Sequence, residues 1–280
     1  MVQMATGRCE RHQPRIPLVL ALFAILTGSS AAQSASADYT VEQVEYEDVR
    51  YEVVRADPAA VRLLWKDEKG RPLRTLGRAR DLLERRGEQP LMIISGGVFE
   101  GEGSLIGLHV EDGEEQNELN LGDGKGNFFI KPNGVFLVRE DGDGCKALIW
   151  TSSIYSSWLK VRKDQKALPL FAMQSGPMLV MRGMRNLKLD PESASKMDRN
   201  GIGIDRDGRV IFAITARGES VNLYGFAKLF ESLGCKDALF LNGDIPQMVL
   251  NPKGSISSHA FGSIFAVVAP ANEGTLAGDR

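Results

Sequence analysis

The apolar runs of this sequence are short, and most of them end at a turn that contains glycine. Residues 39–55 alternate between apolar and polar side chains, which is the period of a β-strand. Only residues 73–86 and 223–233 carry apolar side chains at helical spacing, and a glycine follows each stretch. We therefore predict an α+β fold of mixed, largely antiparallel sheets with hairpins and a few packing helices.

Turn sequences between neighbouring apolar runs predict two hairpins. The first spans residues 127–138, where Asn133-Gly134 favours the positive φ angles of a tight turn. The second spans residues 202–214 and turns at Asp205-Arg206-Asp207-Gly208. No repeat, long charge block or proline-rich linker interrupts residues 38–270, so we expect this range to form a single domain.

The first 37 residues have the pattern of a secretory signal peptide. Arginines at positions 8, 11 and 15 precede an apolar run over 16–26, and Ala35-Ser36-Ala37 has the form of a cleavage site. The apolar run is about half as long as a membrane-spanning helix requires. An uncleaved N-terminal anchor is the alternative. We expect cleavage after Ala37, a secreted or periplasmic protein with no stable membrane span, and a flexible tail over 271–280.

Charge and cysteine content limit the possible partners and cofactors. The 280 residues carry a formal net charge of −2, whereas nucleic-acid-binding domains usually have a strong basic excess, so nucleic acid is not expected as a partner. Once the leader is removed, Cys145 and Cys235 remain, and they either form a disulfide or stay as two buried thiols. His109 and His259 have no nearby cysteine or histidine, so we expect neither a metal nor a cofactor.

Four segments share one form, in which an apolar strand ends in a polar, glycine-rich turn. A strand end lies at the rim of a sheet, and glycine lets the backbone approach a ligand and present N–H groups to an anion. The planar guanidinium of Arg199 suits a phosphate. Glu100 and Asp244 could divide acid and base work, as two carboxyl groups do in glycoside hydrolysis. The segments are 94–100, 174–177, 199–204 and 241–245.

These segments resemble the phosphodiester glycosidase family. The resemblance implies an α+β fold in which the motifs line one cleft. It also implies hydrolysis of the bond between the anomeric carbon of a sugar and a phosphodiester, with a carbohydrate or sugar phosphate as substrate. The matching stretches are Ser95-Gly96-Gly97-Val98-Phe99-Glu100, 107–113, 126–136, 172–180, Arg199-Asn200-Gly201-Ile202-Gly203-Ile204 and 238–245.

The resemblance also implies roles for individual residues. Arg199 and the backbone N–H groups near three glycines would hold the phosphate, and Ser175 would position it. Glu100 and Asp244 are the acid/base candidates, and Asn242 occupies a third catalytic position. The full set of substrate-binding candidates is Ser95, Gly96, Gly97, Gln174, Ser175, Gly176, Arg199 and Asn200.

The sequence departs from the family pattern at three positions. Ser95 stands where the family usually has asparagine, Asn242 where it has aspartate, and Pro246 where it has serine. The change at Asn242 matters most, because an amide cannot accept a proton as a general base. The first hypothesis is an exported hydrolase that acts on sugar-phosphodiester linkages of envelope or extracellular glycans. The alternative is a catalytically lapsed member that binds glycan or phosphate without cleaving it.

Overall fold

The computed structural model describes residues 39–101, 104–142, 144–161 and 168–270. The predicted signal peptide and the predicted tail lie outside these residues and stay predictions. The helices of the described residues are α1 (Leu76–Arg85), α2 (Ser152–Val161) and α3 (Leu223–Ser232). Their strands, in chain order, are β1 (Tyr39–Tyr46), β2 (Val49–Ala56), β3 (Val61–Leu64), β4 (Pro90–Ser95), β5 (Phe99–Glu100), β6 (Ser104–Leu105), β7 (His109–Glu111), β8 (Glu114–Asn117), β9 (Gly134–Asp141), β10 (Gly144–Thr151), β11 (Phe171–Ser175), β12 (Met178–Met181), β13 (Met184–Arg185), β14 (Arg199–Ile204), β15 (Val210–Thr215), β16 (Asp237–Gly243), β17 (Met248–Leu250) and β18 (Ile264–Val268).

The larger sheets of the described residues are entirely antiparallel. A seven-stranded sheet has the order β1-β2-β15-β14-β16-β12-β13, a five-stranded sheet the order β10-β9-β11-β7-β8, and a four-stranded sheet the order β17-β4-β18-β3. Each pair of neighbouring strands runs antiparallel. The predicted α+β class and its largely antiparallel sheets are confirmed.

The three larger sheets meet around one apolar core, and each carries a helix on its other face. The shared core takes Ile94 from the four-stranded sheet, Phe136 from the five-stranded sheet and Phe212 from the seven-stranded sheet. Helix α1 covers the four-stranded sheet, α2 the five-stranded sheet and α3 the seven-stranded sheet. Because the sheets converge, the ends of strands that are distant in sequence lie close together.

The helix prediction over 73–86 corresponds to α1, and that over 223–233 corresponds to α3. The hairpin over 202–214 is confirmed as the β14–β15 pair. The hairpin over 127–138 is wrong, because residues Asn127–Phe129 form a 3-10 turn and only Gly134 onward continues as β9. Phe128 is buried there, and the Asn133 side chain donates to the Phe128 carbonyl (3.2 Å), so the asparagine closes a turn of its own.

Among the described residues, none of the helices is long and apolar enough to span a bilayer. That finding leaves the predicted leader aside, because its residues fall outside the described ranges.

Cys235 is a free thiol buried beneath α3, so it does not form the disulfide with Cys145 that the sequence left open. Burial raises the pKa of the Cys235 thiol to about 12. We expect Cys235 in the native protein to react with a thiol reagent roughly 1,000-fold more slowly than in the unfolded chain, because both shielding and the scarcity of thiolate oppose the reaction.

Labelling without reductant, in native buffer and in urea, followed by mass spectrometry of the Cys235 peptide, measures this difference. A Cys235→Ala variant controls for other sites of modification. Rapid labelling in native buffer, or none in urea, would contradict a buried free thiol.

Candidate active site

Two polar side chains from two sheets, those of Asn200 and Ser95, form a hydrogen-bonded cluster with two backbone N–H groups at the strand ends. Asn200 is the second residue of β14, and its amide nitrogen donates to the backbone oxygen (2.7 Å) and the hydroxyl (3.0 Å) of Ser95, the last residue of β4. The Asn200 amide oxygen accepts the backbone N–H of Asn242 in β16 (2.8 Å). The Ser95 hydroxyl also accepts the backbone N–H of Gln247 (3.1 Å). Asn200 therefore joins the segments around Ser95 and Asn242.

The end of β11 joins the same cluster through Ser175. Its hydroxyl donates to the Leu241 carbonyl (3.4 Å) and accepts the Val98 N–H (3.5 Å), so it lies between the turn after β4 and the end of β16. Gly176 follows in a crowded position, where an added Cβ would lie 2.7 Å from the Phe128 carbonyl oxygen. All four motif segments thus meet at one edge of the molecule. We call this edge the rim, and it contains Ser95, Ser175, Asn200 and Asn242.

Gly96 and Gly97 are packed against Ser263, at the start of the last strand. The Gly96 N–H donates to the Ser263 carbonyl (2.9 Å) and the Gly97 N–H to the Ser263 hydroxyl (3.1 Å). Sequence reasoning did not single out Ser263, although Gly262-Ser263 adjoins an apolar strand in the same way as the other motifs. The two glycine N–H groups are used within the protein, and their predicted role in phosphate binding stays a prediction.

The Gln174 side chain faces away from this cluster and is fully hydrogen-bonded. Its oxygen accepts the backbone N–H groups of Leu108 (3.1 Å) and Asn120 (2.9 Å), and its nitrogen donates to the Asn120 carbonyl (2.7 Å) and the Ser152 hydroxyl (2.9 Å). These bonds anchor the exposed chain around Asn120 to the five-stranded sheet. If Gln174 influences a ligand, we expect it to act through that chain segment.

The two acid/base candidates are exposed and lie on the chain segments that follow β4 and β16. Glu100 ends β5, and Asp244 directly follows β16 with a φ angle of +82°, a conformation in which aspartate is one of the few common residues. Phe99 and Ile245, their chain neighbours, pack against the same apolar cluster beneath α1. Solvent therefore reaches both carboxyl groups, and the adjoining apolar residues fix their turns to one part of the fold.

Arg199, in contrast, is almost completely buried, with 1% of its surface exposed. Its Nε donates to the Val221 carbonyl (2.6 Å) and its Nη2 to the Ser195 carbonyl (2.8 Å), while the guanidinium lies over the ring of Phe240 at 5.4 Å. Burial lowers the pKa of Arg199 to about 10, and the negative charge of Asp244 acts in the opposite direction.

The two faces of the rim differ in character. Residues paired across antiparallel strands point to the same side, and successive residues alternate. Asn200 pairs with Asn242 on the side of β4, and Arg199 pairs with Gly243 on the side of α3. Within the described residues, Arg199 Nη1 and Asn242 Nδ2 are buried donors with no hydrogen-bond acceptor. Each side of the rim thus holds one donor that a further oxygen atom would satisfy.

The other polar features of the described residues lie elsewhere. A cavity of about 700 Å³ is lined by the turns of the β9–β10 and β14–β15 hairpins, together with Asp57, and includes none of the predicted site residues. In the described ranges, no three side chains of histidine, cysteine, aspartate or glutamate are grouped as a metal would require.

The family model for phosphodiester glycosidases matches residues 89–263, which is more than half of the chain and includes every predicted site residue. The chain belongs to the phosphodiester glycosidase family.

One protein is similar to this chain in sequence, and two solved structures are similar to it in fold. A protein of Escherichia coli K12, described as uncharacterized protein YigE, is 31% identical over 233 residues, which cover 83% of this chain and 82% of that protein. The fold is similar to the catalytic domain of zebrafish N-acetylglucosamine-1-phosphodiester alpha-N-acetylglucosaminidase, described as auto-inhibited by its pro-peptide, with a TM-score of 0.55, 17% identity and 84% of each chain covered. It is also similar to a putative exported protein of Burkholderia pseudomallei K96243, with a TM-score of 0.52, 13% identity, and 79% of this chain and 74% of that chain covered.

Proposed function

We propose that the protein is an exported hydrolase that cleaves glycosyl-1-phosphodiester linkages in envelope or extracellular glycans. The observation that carries the proposal is the meeting of four motif segments at one rim, with Asn200 bonded to Ser95 and Asn242 and with the exposed Asp244 beside them. Family membership supports the reaction class. The leader pattern supports export, as does the likeness to a protein described as exported.

Because the leaving group is a phosphate, the main catalytic requirement is a single carboxylate that activates the attacking water. Breaking the bond between the anomeric carbon and the phosphate oxygen releases a phosphate monoester, whose conjugate acid has a pKa of about 6. Such a group leaves without full protonation, so the demanding step is delivery of water to the anomeric carbon. Asp244 is exposed and acts as the base in this proposal. Glu100 is the candidate for protonating the leaving oxygen.

Asn242 contributes as a hydrogen-bond donor. Its backbone N–H is held by Asn200, and its buried side-chain nitrogen lacks an acceptor among the described residues. An amide cannot remove a proton, but it can donate to a phosphoryl oxygen without adding negative charge beside an anionic substrate. In this proposal Asn242 favours binding of the phosphodiester.

The assay uses the chain without its leader and an N-acetylglucosaminyl p-nitrophenyl phosphodiester, chosen because the zebrafish relative carries that sugar in its name. Cleavage at the sugar releases p-nitrophenyl phosphate, so colour should develop only when alkaline phosphatase is added afterwards. In water enriched in ¹⁸O, the label should enter the sugar. Two comparison compounds, p-nitrophenyl N-acetylglucosaminide and bis(p-nitrophenyl) phosphate, should not be hydrolysed. Colour without phosphatase, or equal turnover of either comparison compound, would contradict the proposal.

Asn242 also favours the second candidate function, a lapsed enzyme that binds glycan or phosphate. An Asn242→Asp variant separates the two. We expect it to unfold about 1–3 kcal/mol more easily, because position 242 is only 8% exposed and a carboxylate there loses its hydration. If neither the wild type nor Asn242→Asp turns over any glycosyl phosphodiester, while glucose 1-phosphate still binds in calorimetry, the binding function replaces the hydrolase.

A further inference from the structure

Arg199 is built into the protein interior in a way that separates it from a ligand. Two of its donor groups are committed to the backbone carbonyls of Val221 and Ser195, and its guanidinium lies over Phe240. A cation that binds phosphate directly usually presents its fork of N–H groups to the ligand. Here the fork is divided between two loops of the chain, and 1% of the residue is exposed.

The remaining donor of Arg199, Nη1, lies beside Gly243 at the end of β16. Nη1 has no acceptor among the described residues and lies 3.3 Å from the position that a Cβ on Gly243 would occupy. Asp244 is the next residue along the chain. Its carboxylate is the negative charge that acts on Arg199, where it partly offsets the cost of burying the cation. The negative charge of Asp244 is therefore attracted by the Arg199 guanidinium, which solvent does not reach.

The backbone conformation at Asp244 is one that the surrounding structure has to hold in place. A φ angle of +82° is unfavourable for residues other than glycine, asparagine and aspartate, and it persists where the surroundings hold it. The buried guanidinium beside Gly243 attracts the Asp244 carboxylate. Asp244 faces solvent and Arg199 does not, so the two residues have different tasks.

We propose that Arg199 is a positioning residue, which orients the Asp244 carboxylate through its buried guanidinium and does not itself touch the sugar phosphate. The catalytic part of this inference rests on the proposed function. The proposed attraction between Arg199 and Asp244 does not depend on it and can be tested without any substrate.

The first test reverses the charge at an exposed position and leaves the buried arginine in place. Thermal unfolding at low ionic strength compares Asp244→Asn with Asp244→Lys. A lysine at 244 faces the Arg199 cation, so we expect its melting temperature to lie about 3 °C or more below that of the asparagine variant. Asp112→Asn and Asp112→Lys are the matched controls, because Asp112 is also exposed and has a positive φ angle of +49°. If the difference at 244 is no larger than that at 112, the proposed pairing is wrong.

The second test uses Arg199→Lys, which keeps the charge but cannot bond both carbonyls and still reach towards Gly243. We expect kcat to fall about 10- to 100-fold, while KM and the calorimetric affinity for glucose 1-phosphate stay within about threefold of the wild type. A loss of affinity above tenfold with kcat preserved would show that Arg199 binds the phosphate and would overturn the positioning role. If the wild type has no turnover, the proposed function fails, and the melting temperatures together with the affinity for glucose 1-phosphate still decide whether Arg199 faces Asp244 or the ligand.

Discussion

Replacing Asp244 by asparagine should lower kcat on a glycosyl-1-phosphodiester by about 100-fold or more. The amide occupies the same space but cannot take a proton from the attacking water, and a positioned base typically contributes a factor of this size or larger. Asparagine also tolerates a positive φ angle, so the turn at 244 should keep its shape. Steady-state kinetics should show the loss in kcat with little change in KM. The melting temperature should fall by no more than about 4 °C, because the residue is exposed.

Asp112→Asn is the control for this variant. Asp112 is an exposed aspartate at positive φ in the turn between β7 and β8, and it has no place in the proposed chemistry. Its substitution should leave kcat within about twofold of the wild type. An Asp244→Asn enzyme that retains more than a third of wild-type kcat would exclude Asp244 as the base and would move that role to Glu100.

Replacing Gly96 by alanine should destabilise the protein by about 3 kcal/mol or more. The added Cβ would lie 2.7 Å from the Ser263 carbonyl oxygen and 2.9 Å from its carbonyl carbon, so backbone atoms would have to move apart. That movement would also disturb the bonds from the Gly96 and Gly97 N–H groups to Ser263. Urea unfolding should show the loss directly, and the melting temperature should drop by about 6–12 °C.

Gly77→Ala serves as the matched control for this prediction. Gly77 lies in α1, and an added Cβ would meet only Ile256, at the ordinary contact distances of 3.7 and 3.8 Å. Alanine is the better helix former, so this variant should be neutral or more stable by up to about 1 kcal/mol. Equal stability of Gly96→Ala and the wild type would mean that the close approach to Ser263 does not constrain position 96.

The parts of the fold that could be predicted from the sequence have local causes. The β14–β15 hairpin follows from its Asp-Gly turn, and α3 from its apolar spacing and its Asn222 cap. Helix α2 was missed, because a serine-rich stretch has a weak helical signal and Tyr155 stabilises it by packing into the five-stranded sheet. The false hairpin at 127–138 failed for a similar reason, since the burial of Phe128 determines that turn.

The same distinction between local causes and tertiary packing applies to the candidate site. The motifs identified Ser95, Ser175, Asn200 and Asn242, and the structure places them in one hydrogen-bonded cluster. What the sequence could not provide is the face on which each side chain lies, because strand register sets it and a shift of one residue reverses it. Arg199 illustrates the limit, since the sequence favours a phosphate ligand while the register sends its guanidinium into the interior.

The bonds made by Asn200 and Ser175 have a consequence for reading such sequences. These two side chains tie together strand ends from three different sheets. A descendant that had given up hydrolysis would still be stabilised by these bonds, and its motifs would look intact. Presence of the motif therefore reports the architecture, whereas competence for the reaction has to be judged from the exposed carboxyl groups on the neighbouring turns.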